Sequence, residues 1–126
     1  MRVHPVGLFS HKASNTSIIE NVKKSAKVTH THMDAINGAV LQTACVSWAL
    51  QGSNISDIRK KVREICSNFD KPDDVENETY LEKVDIIDKS LEDTNANITN
   101  LIEDLGNDVS AMRSVPSSVY SFFAGR

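Results

Sequence analysis

Apolar residues return every three or four positions along almost the whole chain, the period of an amphipathic helix rather than the alternation of a half-buried strand. Val3 to Phe9 is a short apolar stretch broken by Pro5 and Gly7, which predicts a short or kinked helix leading into a loop through His11 and Ser14. Ser14 is placed to cap the next helix, Thr16 to Thr29, where Ile18, Ile19, Val22 and Ala26 form one stripe and Glu20, Lys23, Lys24 and Lys27 stay in water. Asp34 to Gln51 is different. It is nearly free of charge and carries Ile36, Ala39, Val40, Ala44, Val46, Ala49 and Leu50 around most of a helix, so it must be buried on most sides. Its small residues Gly38, Ala39 and Ala44 would let a neighbour approach the backbone, and Gly52 supplies a stop.

Asn54 can cap a fourth helix, with Ile55, Ile58, Val62 and Ile65 opposite Arg59, Lys60, Lys61 and Arg63. Asn68 to Glu76 combines Pro72 with four acids and predicts a solvated loop. A stripe through Leu81, Val84, Ile87 and Leu91 marks a helix over Tyr80 to Leu91, followed by Ile98 to Leu105 with Gly106 as terminator, and Val115 to Phe123 is the last candidate. Tyr120, Phe122 and Phe123 crowd the end with no later element to cover them, so Val119, Phe122 and Phe123 are expected to be exposed in this segment by itself. That open end and the charge-poor central helix point to an all-α segment, a single incomplete domain over 1–126 whose surrounding helices lie outside it.

Composition narrows the class without naming a function. At 126 residues, 40% hydrophobic and 25% charged, the chain is ordinary for a globular domain. Its net charge of -3, with basic residues spread among acids, argues against direct nucleic-acid binding. No run approaches the roughly 18 apolar residues of a membrane span. Cys45 and Cys66 sit at helical spacing among apolar neighbours and read as inert core thiols. The N-x-S/T triplets beginning at Asn15, Asn54, Asn77 and Asn97 reflect ordinary asparagine and threonine usage.

The densest chemistry is Thr29-His30-Thr31-His32-Met33-Asp34, an H-x-H-x-D run between two helices. Imidazoles with a carboxylate can bind zinc, but the flanks are helical, the next position is Ala35, and no histidine follows His32. The bland reading has His32 and Asp34 serving the start of the buried helix, where negative charge is favoured. There is no G-x-S-x-G elbow, P-loop, dinucleotide-binding glycine pattern, C-x-x-C or H-E-x-x-H. The acid pairs Asp73 with Asp74 and Glu103 with Asp104 read as solvated.

Whole segments are more informative than motifs. Val28 to Gln42, with V-T-H followed by A-I-N-G-A-V-L-Q, resembles a signature of the ADP-ribosylglycohydrolase family. Ala49 to Gly52, Leu105 to Ala111 and Ser114 to Phe122 resemble its ADP-ribosylserine hydrolase branch, and Met1-Arg2-Val3 resembles the end of the family's G-N-G-A-x-M-R-V run. The resemblance covers almost the whole chain and is weakest between Ser67 and Asn95.

It implies an all-α orthogonal helical bundle, part of a larger helical fold, in which Met1 is an internal methionine. It also implies a magnesium-dependent hydrolase, with two Mg2+ ions, that cleaves ADP-ribose from protein serine and cleaves poly(ADP-ribose). The implied metal ligands lie in an early glutamate and Thr-Asp-Asp motif and a late Asp-x-Asp-Thr motif, neither of which occurs here, so the segment alone is expected to be inactive. His30 and Val109 match positions that touch bound ADP-ribose. The implied partners are ADP-ribosylated proteins, poly(ADP-ribose) and ADP-ribose, bound by a monomer in the nucleus, cytoplasm or mitochondrial matrix. The alternative is a catalytically inactive helical module that binds ADP-ribose or a protein.

Overall fold

A computed structural model of the chain describes residues 2–69 and 78–125. Among the described residues there are seven helices and no strand, as the apolar period predicts: α1 (His4–Ser10), α2 (Asn15–Lys27), α3 (Met33–Leu50), α4 (Ile55–Ser67), α5 (Tyr80–Glu92), α6 (Ile98–Leu105) and α7 (Ala111–Ala124). Packing divides them into two compact units, Met1–Phe69 with α1 to α4 and Asp70–Arg126 with α5 to α7. The loop expected around Pro72, with Asp73 and Asp74, and the triplet beginning at Asn77 lie outside the described residues.

In the first unit α3 packs against α1, α2 and α4. Ile36, Ala39, Val40, Leu41, Ala44 and Trp48 are all buried, α2 adds Ile18, Val22 and Ala26, and α4 adds Ile58 and Val62. Each fully buried Val, Leu or Ile side chain contributes about 1.5–3 kcal/mol, so this apolar core is the main source of the unit's stability. Burial along α3 stops at Trp48. Ala49 and Leu50, expected inside, are exposed because the chain reverses through Gln51 and Gly52 in solvent.

The tightest approach comes from α1, where a β-carbon on Gly7 would stand 3.0 Å from the Thr43 carbonyl oxygen and 3.2 Å from Val46 Cγ1. Both expected caps form: Ser14 Oγ accepts from the Ser17 amide, and Asn54 Oδ1 accepts from the Asp57 amide at 2.8 Å. Cys45 and Cys66 are buried free thiols. Burial pushes both up to about 12; the charge of Cys66 adds to the effect on Cys45, and Arg63 opposes it at Cys66.

The second unit packs Tyr80, Val84 and Ile87 of α5 with Leu101 and Leu105 of α6 and Val115, Pro116, Val119 and Phe123 of α7. A capping box starts α5, with the Thr79 hydroxyl accepting from the Glu82 amide and the Glu82 carboxylate accepting from the Thr79 amide at 2.7 Å. Val119 and Phe123, expected to lack cover, are buried because they stand one turn apart on the α7 face that packs against α5 and α6. Only Phe122 of the three is exposed. Helix α7 also starts four residues before Val115. Ser110 precedes it without a side-chain cap, and Pro116, six residues in, removes one amide while the Ser114 and Ser118 hydroxyls bond the carbonyls four residues back.

Lys83 is 2% exposed, with Nζ donating to the Asp104 carbonyl at the end of α6 and 2.8 Å from Glu78 Oε2. A lysine tolerates such burial only when its ammonium is paired. No helix among the described residues is long and apolar enough to cross a membrane.

Candidate functional site

His30 stands in the link between the end of α2 and the start of α3. The Thr29 and His30 amides both donate to the Ala26 carbonyl, at 3.1 and 2.9 Å, so the last turn of α2 carries the imidazole to its place. The ring is half-buried, with Nδ1 2.7 Å from Thr29 Oγ1. When the threonine hydroxyl donates to Nδ1, the neutral ring carries its proton on Nε2 and can donate outward; the imidazolium can donate from Nε2 as well. In that tautomer Nδ1 is engaged by Thr29 and Nε2 is the donor.

His32 is the residue before α3 and its side chain is 76% exposed, with Nδ1 3.6 Å from Asp34 Oδ2. Its carbonyl accepts from the Ile36 amide, and Asp34 lies in the first turn of α3, where the helix dipole favours a carboxylate. Among the described residues no group of three or more His, Cys, Asp or Glu side chains is placed to hold a metal ion.

Val109 occupies the five-residue loop between α6 and α7 and is fully exposed. The loop opens at Gly106, whose φ of +86° suits glycine, and a β-carbon there would stand 2.6 Å from Cβ and Cγ of Arg113. Asp108 Oδ1 accepts from the Ser110 amide at 2.8 Å and from its hydroxyl at 2.6 Å, while Oδ2 is 3.6 Å from Arg113 Nε. The two Ser110 hydrogen bonds, with Arg113 contributing, hold the Asp108 carboxyl below its ordinary value. His30 and Val109 thus belong to different units, one on a helix junction and the other on a braced loop.

Sequence reasoning missed two features. A cleft of about 170 Å³ opens between α2, α3 and α4, with Trp48, Asn15, Lys61 and Glu64 among its lining residues. Trp48 Nε1 donates to Asn15 Oδ1 at 3.2 Å, and the Lys61 ammonium lies 5.5 Å from the indole centroid. The only signal was the single tryptophan on a charge-poor helix. The bracing of the Val109 loop by Arg113 left no periodic trace.

The chain is 33% identical to an uncharacterized protein of Archaeoglobus fulgidus over its whole length, covering 38% of that protein. It is 30% identical to ADP-ribosylhydrolase ARH3 of Xenopus tropicalis, over 83% of this chain and 33% of the relative, and 29% identical to ADP-ribosylhydrolase ARH3 of Bos taurus, over 84% and 33%. The chain therefore spans about a third of the length of the curated relatives it matches. No solved structure matches it. The family model for ADP-ribosylglycohydrolase matches residues 1–126, and with the all-helical architecture this places the chain in the ADP-ribosylglycohydrolase family.

Proposed function

We propose that this chain is part of a magnesium-dependent hydrolase that cleaves the O-glycosidic bond of ADP-ribose attached to protein serine and of poly(ADP-ribose). The observation that carries the reading is the family match over residues 1–126, supported by relatives named ADP-ribosylhydrolase. On this reading the parent acts as a monomer on ADP-ribosylated proteins and poly(ADP-ribose), in the nucleus, cytoplasm or mitochondrial matrix. Its two magnesium ions are held by other parts of the parent, and no bond-breaking step falls to residues of this chain.

His30 and Val109 are each assigned a contact with ADP-ribose, as the family resemblance implies. With Nδ1 engaged by Thr29, His30 presents Nε2–H to an oxygen of the diphosphate or an adjacent ribose. Val109 offers an apolar side chain and its backbone to the ligand, and its complete exposure leaves both accessible. Binding energy gathered here orients the sugar, whose anomeric carbon passes through an oxocarbenium-like state during cleavage.

Calorimetric titration of ADP-ribose into the full-length parent and into this chain, with and without magnesium, tests the assignment. Magnesium-dependent binding in the parent alone is expected; tight, metal-independent binding to the short chain would instead mark a non-catalytic module. In the parent, His30→Ala should weaken ADP-ribose by about 10- to 100-fold, the loss of one hydrogen bond to a charged group, while kcat changes little. Unchanged affinity sinks the role of His30.

A further inference from the structure

We infer that Asp108 and Arg113 are positioning residues, which hold the Gly106–Ser110 loop in one conformation so that Val109 is presented before a ligand arrives. The inference rests on the proposed contact between Val109 and ADP-ribose. An exposed five-residue loop is ordinarily mobile, and Val109 buries no surface that could order it. Order must come from its neighbours. Asp108 supplies it on one side through both hydrogen bonds to Ser110, which close a short side-chain turn around Val109.

Arg113 supplies it on the other side. Its aliphatic stem lies against Gly106 so closely that no β-carbon fits between them, while its Nε faces Asp108 Oδ2 at 3.6 Å. Ser117, one turn further along α7, donates to the carbonyls of both Gly106 and Arg113. The entry and the middle of the loop are therefore tied to the same turns of α7. A loop ordered in advance loses less freedom on binding, so its effect falls on affinity rather than on the chemical step.

The test uses the full-length parent and ADP-ribose itself. Asp108→Ala removes the turn and the ion pair together and should raise Kd and KM about tenfold, with kcat within about twofold and the melting temperature nearly unchanged. Asp108→Asn keeps the acceptor for Ser110 and should recover most of that loss. Arg113→Met keeps the stem but not the charge and should cost about two- to fivefold, the range of an exposed ion pair, with a difference that shrinks as salt rises. Val109→Asp is the control. If it weakens ADP-ribose and Asp108→Ala does not, the positioning role is overturned and the ligand contact stands. If Val109→Asp changes nothing, the loop does not meet the ligand, and both assignments fall. Loss of kcat with unchanged KM in Asp108→Ala would likewise overturn the positioning role.

Discussion

In the first unit α3 is covered by α1, α2 and α4, and its one charged residue sits in its first turn, whereas the second unit buries the Lys83 ammonium at the end of α6. Both units also have apolar cores, but among the described residues only the second places a fully buried charge within one. The contrast separates two ways of fixing a helix. Apolar burial is non-directional and tolerates repacking, while a buried ammonium accepts only partners at hydrogen-bond distance. The same contrast runs through the candidate site, where His30 is carried by the end of a packed helix and Val109 is held by side-chain ties.

The largest effect should come from the apolar core. Leu41→Ala, at a site 1% exposed, is expected to cost about 2–5 kcal/mol of unfolding free energy. Trp48 is the one tryptophan and lies in the first unit, while both tyrosines, Tyr80 and Tyr120, lie in the second, so urea unfolding followed by each emission reads the units separately. A shift of the Trp48 midpoint alone sharpens the comparison; an equal shift of both breaks it.

Alkaline pH should act next, and through the first unit, which holds both cysteines. Their folded values lie near 12 against an ordinary 9.0, so the native state binds more protons than the unfolded chain above pH 9. Stability is then full below pH 9 and falls as pH rises toward 12, by on the order of 1.4 kcal/mol per pH unit for each thiol at most. Urea midpoints from Trp48 emission at pH 8 and pH 10.5 check this, and equal midpoints would refute it.

The polar tie gives the smallest and most diagnostic change. Lys83→Met replaces the buried charge with an apolar chain of similar length and should stay within about 1 kcal/mol of the original. Glu78→Ala instead leaves the ammonium with the Asp104 carbonyl and should cost about 1–3 kcal/mol. Thermal unfolding monitored by tyrosine emission ranks the two, and the reverse order would show that Lys83 is held by packing of its stem.

Features that repeat along the chain were legible before any coordinates. The 3.6-residue period located the helices, and Ser14 and Asn54 declared themselves as caps because a short polar side chain precedes each apolar run. The start of α7 was not legible, since Pro116 invites a boundary, whereas the helix already begins at Ala111 with the Ser114 amide and hydroxyl both donating to the Ser110 carbonyl. Lys83 was hidden for a similar reason: it adjoins Val84 on the buried side of α5, and its burial is tolerable through Glu78 and the Asp104 carbonyl, which is distant in sequence. Of the candidate site, His30 was singled out through the family resemblance, but its Thr29 partner was not. Asp108 and Arg113 are five residues apart across a helix start, a spacing no periodic pattern marks.

Position 7 has a consequence for substitution tolerance along α1. Any side chain there must push α1 away from Thr43 and Val46, so even alanine is expected to deplete in a saturation library selected for folding. Phe9, two positions on and 90% exposed, should accept nearly every residue in the same selection. A seven-residue helix thus carries a tightly constrained position and a nearly unconstrained one two residues apart, and its tolerance profile would report the docking of α1 on α3 without a structure.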